Sequence, residues 1–255
     1  ATSGHAGARG THLSSALGGA QSGAWTVMVG SEAARNTVLA AVRKALGHSV
    51  ADQSRGVAVA ARLASPPANP PASRTVKSRS ELIAQFEGFL IGQSATVLNV
   101  ASEADIPASI AAYLRSLNAP LRVRHGNDGL FTRLPWGNEP ALENKSGAAN
   151  PEDMVGLSRA LAGVSETGTL VLASGPDNPV TINFLPEVHI VVLDASEVVA
   201  SYEEAWSKVR SSLGSAGLSR TVNFISGPSR TGDIGGRLVM GAHGPKKLCV
   251  IVVGR

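Results

Sequence analysis

The chain has 255 residues, a formal net charge of +4 and a single cysteine, Cys249. One cysteine excludes an intrachain disulfide framework, and it excludes a zinc or iron–sulfur centre held by several cysteines of this chain. The basic residues are scattered and aromatic residues are few, so we expect no nucleic-acid-binding face. No apolar stretch approaches the roughly 20 residues that cross a bilayer. We therefore expect a cytoplasmic protein, with no metal or cofactor of its own, that binds a small anion or an acidic partner.

The first part of the sequence differs in composition from the rest. Residues 1–30 are rich in Gly, Ala and Ser, so they are predicted to be a leader that is either disordered or mis-started. In the second case the natural start is Met28. Residues 31–47 form a predicted helix with apolar residues at helical spacing, namely Val38, Leu39, Val42 and Leu46. Residues 65–73 are rich in proline, which is typical of a stiff linker. Residues 31–73 are thus predicted to be a helical arm and a linker.

Helices and strands alternate in the predicted main domain, residues 74–255. The predicted helices span 81–91, 103–117 and the region around 202–213; one face of the first carries Leu82, Ile83, Phe86, Phe89 and Leu90. The predicted strands span 96–100, 169–174, 188–193, 221–225 and 248–253, with a further extended run starting at 121. Strands that are apolar throughout indicate burial on both faces, which parallel sheets require. The pattern predicts a layered α/β domain with a mostly parallel sheet and a ligand beyond the carboxyl ends of its strands.

Two polar features precede or occupy apolar strands. Glu166, Thr167, Gly168 and Thr169 come just before the strand that starts at 169. They are either a tight turn or a loop that offers Glu166 as a base, nucleophile or hydrogen-bond acceptor. His189 lies within the strand 188–193, where it is either a core histidine with one hydrogen bond or an acid–base group.

The most polar stretch lies between the last two predicted strands. A Gly–Pro turn at Gly227 is followed by Ser229, Arg230, Thr231 and Asp233, and His243 and Gly244 precede the final strand. Backbone N–H groups, hydroxyls and a guanidinium together suit a phosphate or carboxylate. The alternative is a tight, hairpin-like loop that an Arg230–Asp233 ion pair stabilises. The Walker pattern is absent.

The motifs SGPSRTGDI and GAHGPKKL, with SETGTLVL and LPEVHIVV upstream, resemble those of the LUD domain family, most closely its lactate utilisation protein C branch. The resemblance covers residues 31–255. It implies a three-layer α/β/α fold similar to the NagB/RpiA/CoA-transferase-like group. It also implies a part in oxidising L-lactate to pyruvate, with two partner proteins that carry iron–sulfur clusters.

The same resemblance directs attention to a set of residues: Glu166 and His243 as catalytic candidates, and Thr167, Gly168, Thr169, Gly227, Ser229, Arg230, Thr231, Asp233 and Gly244 as substrate-binding candidates. Ser165 and Gly232 each replace a usual Ala, and Gly235 stands where the family often has an acidic residue. These departures weaken a transfer of mechanism more than a transfer of fold.

Three functions compete at this point. The first is a non-redox subunit of a lactate-oxidising complex that binds a small anion. The second is a stand-alone transferase-like or hydrolase-like enzyme for a CoA or phosphate ester, with Glu166 as nucleophile. The third is a scaffold with no ligand. The family resemblance and the lack of thiol ligands favour the first.

Overall fold

The structure, a computed structural model, describes residues 32–47, 53–66, 72–213, 219–233 and 235–255. The predicted leader, residues 1–30, lies outside these residues. The chain divides into two compact units, Ala1–Pro67 and Ala68–Arg255.

The first unit contains two described helices, α1 (Glu32–Ala45) and α2 (Gln53–Ala64). Helix α1 falls within the predicted span, with Glu32 in its first turn and Arg43 and Lys44 in its last, as the helix dipole favours. Helix α2 was not predicted. Neither helix buries a described side chain.

The second unit contains five helices among its described residues: α3 (Arg79–Gly92), α4 (Ile106–Ser116), α5 (Gly129–Arg133), α6 (Val180–Phe184) and α7 (Tyr202–Leu213). Short 3₁₀ turns cover Ser73–Thr75, Glu103–Asp105, Trp136–Asn138 and Ala195–Glu197. Its strands are β1 (Thr96–Val100), β2 (Arg122–His125), β3 (Glu143–Ser146), β4 (Val155–Arg159), β5 (Ala162–Val164), β6 (Thr169–Ala173), β7 (Val188–Asp194), β8 (Val198–Val199), β9 (Val222–Ile225), β10 (Arg230–Thr231), β11 (Val239–Met240) and β12 (Lys247–Val253).

A six-stranded parallel sheet forms the centre of this unit, in the order β1-β12-β7-β4-β2-β3. Its middle strands are buried on both faces. In β12, Cys249, Ile251 and Val253 pack on one side, and Leu248, Val250 and Val252 pack on the other. The continuous apolar run in the sequence is therefore explained by two covered faces.

A second, mixed sheet has the order β8-β5-β6-β9. Strands β6 and β9 pair antiparallel, with Leu170 opposite Ile225. Both strands occur where they were predicted, and they pair in this second sheet and not in the parallel one. An apolar strand has the same local pattern in either kind of sheet, and its partner is decided by distant parts of the chain.

Helices cover the sheets, which makes the domain a three-layer α/β/α structure. Helices α4 and α5 pack on one face of the parallel sheet. Helix α3 and the mixed sheet cover the other face, where Phe86 and Leu90 contact the core. Phe89 was expected on that buried face but is 42% exposed. Among the described residues, no helix is both long enough and apolar enough to span a bilayer.

Candidate functional site

A cavity of about 270 Å³ lies between the loop that follows β9 and the amino ends of β7 and β12. The expected location was the carboxyl ends of the parallel strands, so that expectation does not hold for this cavity. The residues that line it are Asn183, Phe184, His189, residues 224–230, His243, Gly244, Pro245 and Leu248. Five of the predicted site residues are among them: Gly227, Ser229, Arg230, His243 and Gly244.

Backbone hydrogen bonds bring the two halves of the polar stretch together. Ser229 N donates to Pro245 O at 2.9 Å, and Gly241 N donates to Ser229 O at 2.9 Å. The backbone N of His243 donates to Ser229 Oγ at 3.2 Å. Residues that lie 14 positions apart in sequence are thus fixed on one wall of the cavity.

The C-terminal end of α3 supports this wall. Gly227 has φ +140°, and a Cβ on it would lie 3.0 Å from both Cβ and O of Gln93. Arg230 Nη2 donates to Gln93 Oε1. Only glycine allows this close approach at such a φ, and the approach lets Gln93 orient the exposed guanidinium of Arg230.

Asp233 has a different partner from the one proposed for it. Its Oδ2 accepts a hydrogen bond from Thr231 Oγ1 at 3.1 Å, and its N donates to the same hydroxyl at 3.3 Å. Among the described residues, no ion pair joins Arg230 to Asp233. Thr231 and Asp233 close the turn beside the cavity and do not line it.

The buried end of the cavity carries two polar side chains. His189 is 1% exposed, and its Nε2 lies 2.6 Å from Ser158 Oγ. Burial lowers the pKa of His189 to about 3, so the ring is neutral near pH 7. His189 is therefore a core histidine with one hydrogen bond that also contacts the cavity.

Asn183 is the second of these side chains, and it is not among the residues predicted from the sequence. Its side chain is fully buried at the end of α6. Helix α6 lies close to β4 because Gly156 has no side chain, and a Cβ there would lie 2.5 Å from Ile182 O. An asparagine in a short helix has no local signal that would reveal this burial.

The loop of Glu166, Thr167, Gly168 and Thr169 lies outside the cavity. Glu166 pairs with Arg74 at 3.1 Å, and its side chain is only 9% exposed. The hydroxyl of Thr169 lies 2.7 Å from that of Thr167 and 2.6 Å from that of Ser226, which lines the cavity. The loop is thus linked to the cavity through hydroxyl groups.

Gly168 has a packing role in this loop. Its φ is +66°, and a Cβ on it would lie 2.6 Å from Phe89 Cβ and 2.9 Å from Leu90 N. Gly168 therefore contacts the last turn of α3, and Gly227 contacts Gln93, the residue after that helix. This shared support holds the two motif loops side by side.

A second cavity, of about 380 Å³, lies beyond the carboxyl ends of β2 and β4. Asp128, Arg159 and Glu197 are among its lining residues, and none of the predicted site residues lines it. Among the described residues, no group of three or more His, Cys, Asp or Glu side chains is arranged to hold a metal ion.

The comparisons with known proteins agree with the motifs. The sequence model of the LUD domain matches residues 149–253. A lactate utilization protein C of Deinococcus radiodurans is 30% identical over 189 residues, which are 69% of this chain and 82% of that protein. The chain belongs to the LUD domain family.

Other relatives of this chain align over shorter spans. An uncharacterized protein of Neisseria meningitidis serogroup B is 32% identical over 55% of this chain and 61% of its own length. A lactate utilization protein C of Shouchella clausii is 37% identical over 39% of this chain and 43% of its own length. The chain thus spans about half the length of these relatives.

The fold of this LUD domain is similar to that of a solved structure. The crystal structure of a DUF162 family protein from Deinococcus radiodurans matches with a TM-score of 0.53 over 70% of this chain and 99% of that chain. The two sequences are 23% identical, so this likeness concerns the fold alone.

Proposed function

We propose that this chain is a non-redox subunit of a system that oxidises L-lactate to pyruvate, and that it binds a small anion in the cavity beside Arg230. The observation that carries the anion site is the charge of the cavity wall. Arg230 lines the cavity, and no carboxylate is among its described lining residues. Relatives named lactate utilization protein C support the lactate role.

Arg230 is the main anion-binding group in this proposal. Its planar guanidinium has several N–H donors, one of which is used by Gln93, and the others are available to a two-oxygen acceptor. The hydroxyl of Ser229 adds a donor on the same wall. His243 is the ring on this wall that can accept the hydroxyl proton of a 2-hydroxy acid.

The electron transfer is assigned to partner proteins that carry iron–sulfur clusters. Oxidation of lactate releases two electrons, and iron–sulfur clusters need thiolate ligands. Cys249 is fully buried in β12, and burial raises its pKa to about 12. A buried thiol with a raised pKa does not suit a cluster ligand, so the proposal gives this chain no cofactor.

The alternative, a stand-alone transferase-like or hydrolase-like enzyme, needs Glu166 as its nucleophile. Glu166 pairs with Arg74 and is not among the residues that line the cavity. We therefore prefer the subunit. The purified chain alone should not oxidise lactate with an artificial electron acceptor, and clear activity would contradict this choice.

Calorimetric titration of wild type and variants with lactate, pyruvate and ribose 5-phosphate tests the anion site. Arg230→Ala should weaken binding by on the order of 2 kcal/mol, or roughly 30-fold in Kd. Arg230→Lys keeps the positive charge but loses the planar pair of N–H donors, so it should weaken binding by less than Arg230→Ala.

The matched control is Arg237→Ala, because Arg237 is also exposed in the polar stretch between β9 and β12 but does not line the cavity. It should bind as wild type does. If Arg230→Ala binds every anion with unchanged affinity, the loop is structural and the anion site is wrong.

A further inference from the structure

The buried end of the cavity contains an amide group without a partner. Asn183 is 0% exposed, and neither its Oδ1 nor its Nδ2 has a hydrogen-bond partner among the described residues. Buried polar groups in folded proteins are nearly always hydrogen-bonded, because an unpaired one costs free energy. Asn183 is among the residues that line the cavity, so a molecule bound there is a candidate partner for its amide.

The cavity changes in character from its mouth to its floor. Arg230 and His243 are exposed at the mouth, and Asn183 is buried at the floor. Four apolar residues also line the cavity, namely Phe184, Phe224, Ile225 and Leu248. The ring of Phe224 packs with Tyr202 and Trp206, whose ring centroids lie 5.7 and 5.3 Å from its own, in a different cluster from Ile225 and Leu248.

A three-carbon acid bound at Arg230 would leave much of this cavity unfilled. The cavity volume of about 270 Å³ corresponds to about nine water molecules at liquid density. Lactate has fewer non-hydrogen atoms than that, and they pack more closely than separate waters. A ligand that fills the cavity is therefore larger than lactate.

We propose that the cavity binds a nucleotide-like anion, with its phosphate at Arg230 and a flat, neutral ring edge at Asn183. An asparagine amide carries a donor beside an acceptor, and it pairs with two adjacent groups of an adenine edge. The aromatic side chain of Phe184, which lines the cavity and is 42% exposed, suits the face of such a ring. This inference rests on the anion site of the proposed function and names the class of its ligand.

The first test compares probes on the wild-type full-length chain. Calorimetry is carried out with adenosine 5′-monophosphate, with purine riboside 5′-monophosphate, which lacks the amino group, and with ribose 5-phosphate, which lacks the base. Adenosine 5′-monophosphate should bind at least about tenfold tighter than ribose 5-phosphate, with purine riboside 5′-monophosphate between them. Equal affinities for all three would overturn the inference while leaving the anion site intact.

The second test removes the amide. Asn183→Leu keeps the approximate shape, and it should abolish the advantage of adenosine 5′-monophosphate while leaving ribose 5-phosphate binding within about twofold. Without ligand, this variant should melt at the same temperature as wild type or higher, because two unpaired polar atoms are removed from the interior. Asn183→Ala provides the same affinity comparison if Asn183→Leu does not fold.

The matched control is Asn178→Leu. Asn178 is also a buried asparagine with an unpartnered Oδ1, but it does not line this cavity. It should keep the advantage of adenosine 5′-monophosphate. An advantage that persists in the Asn183 variants overturns the inference. If neither lactate, pyruvate nor ribose 5-phosphate binds, the anion site of the proposed function fails instead.

Discussion

Gly168→Ala is expected to destabilise the main domain strongly, although Gly168 belongs to a motif loop and was a candidate substrate-binding residue. Its φ of +66° lies in the left-handed region, which costs a residue with a Cβ about 1–2 kcal/mol. The added Cβ would also lie 2.6 Å from Phe89 Cβ and 2.9 Å from Leu90 N. Because Leu90 N is a backbone atom of α3, the helix end itself must move.

The size of this effect follows from the two costs together. Overpacking of a well-packed interior costs about 1–3 kcal/mol. With the backbone cost, the free energy of unfolding should fall by about 2–5 kcal/mol. Urea unfolding of the full-length chain, followed by circular dichroism, measures this change.

Gly175→Ala is the matched control. A Cβ at Gly175 meets no atom within 4 Å, and its φ lies outside the left-handed region. Its free energy of unfolding should stay within about 1 kcal/mol of wild type. A packing role for Gly168 is refuted if Gly168→Ala unfolds like wild type but loses anion affinity, because Gly168 would then act in binding.

Three further predictions concern buried polar groups. His189 takes up a proton in the unfolded chain below its ordinary pKa near 6.5, but in the folded chain only near pH 3. Stability should therefore fall as the pH drops below 6.5, by up to about 1.4 kcal/mol per pH unit from this residue. Unfolding at pH 7, 6 and 5 should show a smaller slope for His189→Gln, and an unchanged slope would assign it to other groups. The thiol of Cys249 should not react with a thiol reagent at pH 8 until the protein unfolds, because it is buried and its pKa is raised to about 12; rapid labelling of the native protein would contradict this. Ser165→Ala should cost about 0.5–1.5 kcal/mol in urea unfolding, because Ser165 Oγ donates to Leu82 O at 2.7 Å inside the core; no loss would mean that the bond makes no net contribution.

The sequence contained enough local information for several elements and for part of the site. The β-branched run 96–100 is β1 residue for residue, and the helix around 202–213 is α7. Gly227, Ser229, Arg230, His243 and Gly244 could be selected because the polar stretch lies between two apolar strands of one short segment. Short-range chain connectivity keeps such residues near one another, so their grouping in one cavity required little knowledge of the rest of the fold.

Tertiary structure alone decided how distant segments combine. Strand β6 is apolar on both faces whichever sheet it joins, so its antiparallel pairing with β9 depends on a partner more than 40 residues away. Glu166 was a catalytic candidate by motif, yet it pairs with Arg74. Asn183 became the buried end of the cavity because Gly156 lets α6 approach β4. Burial and pairing are properties of what surrounds a residue in space, and neighbours in sequence determine them only in part.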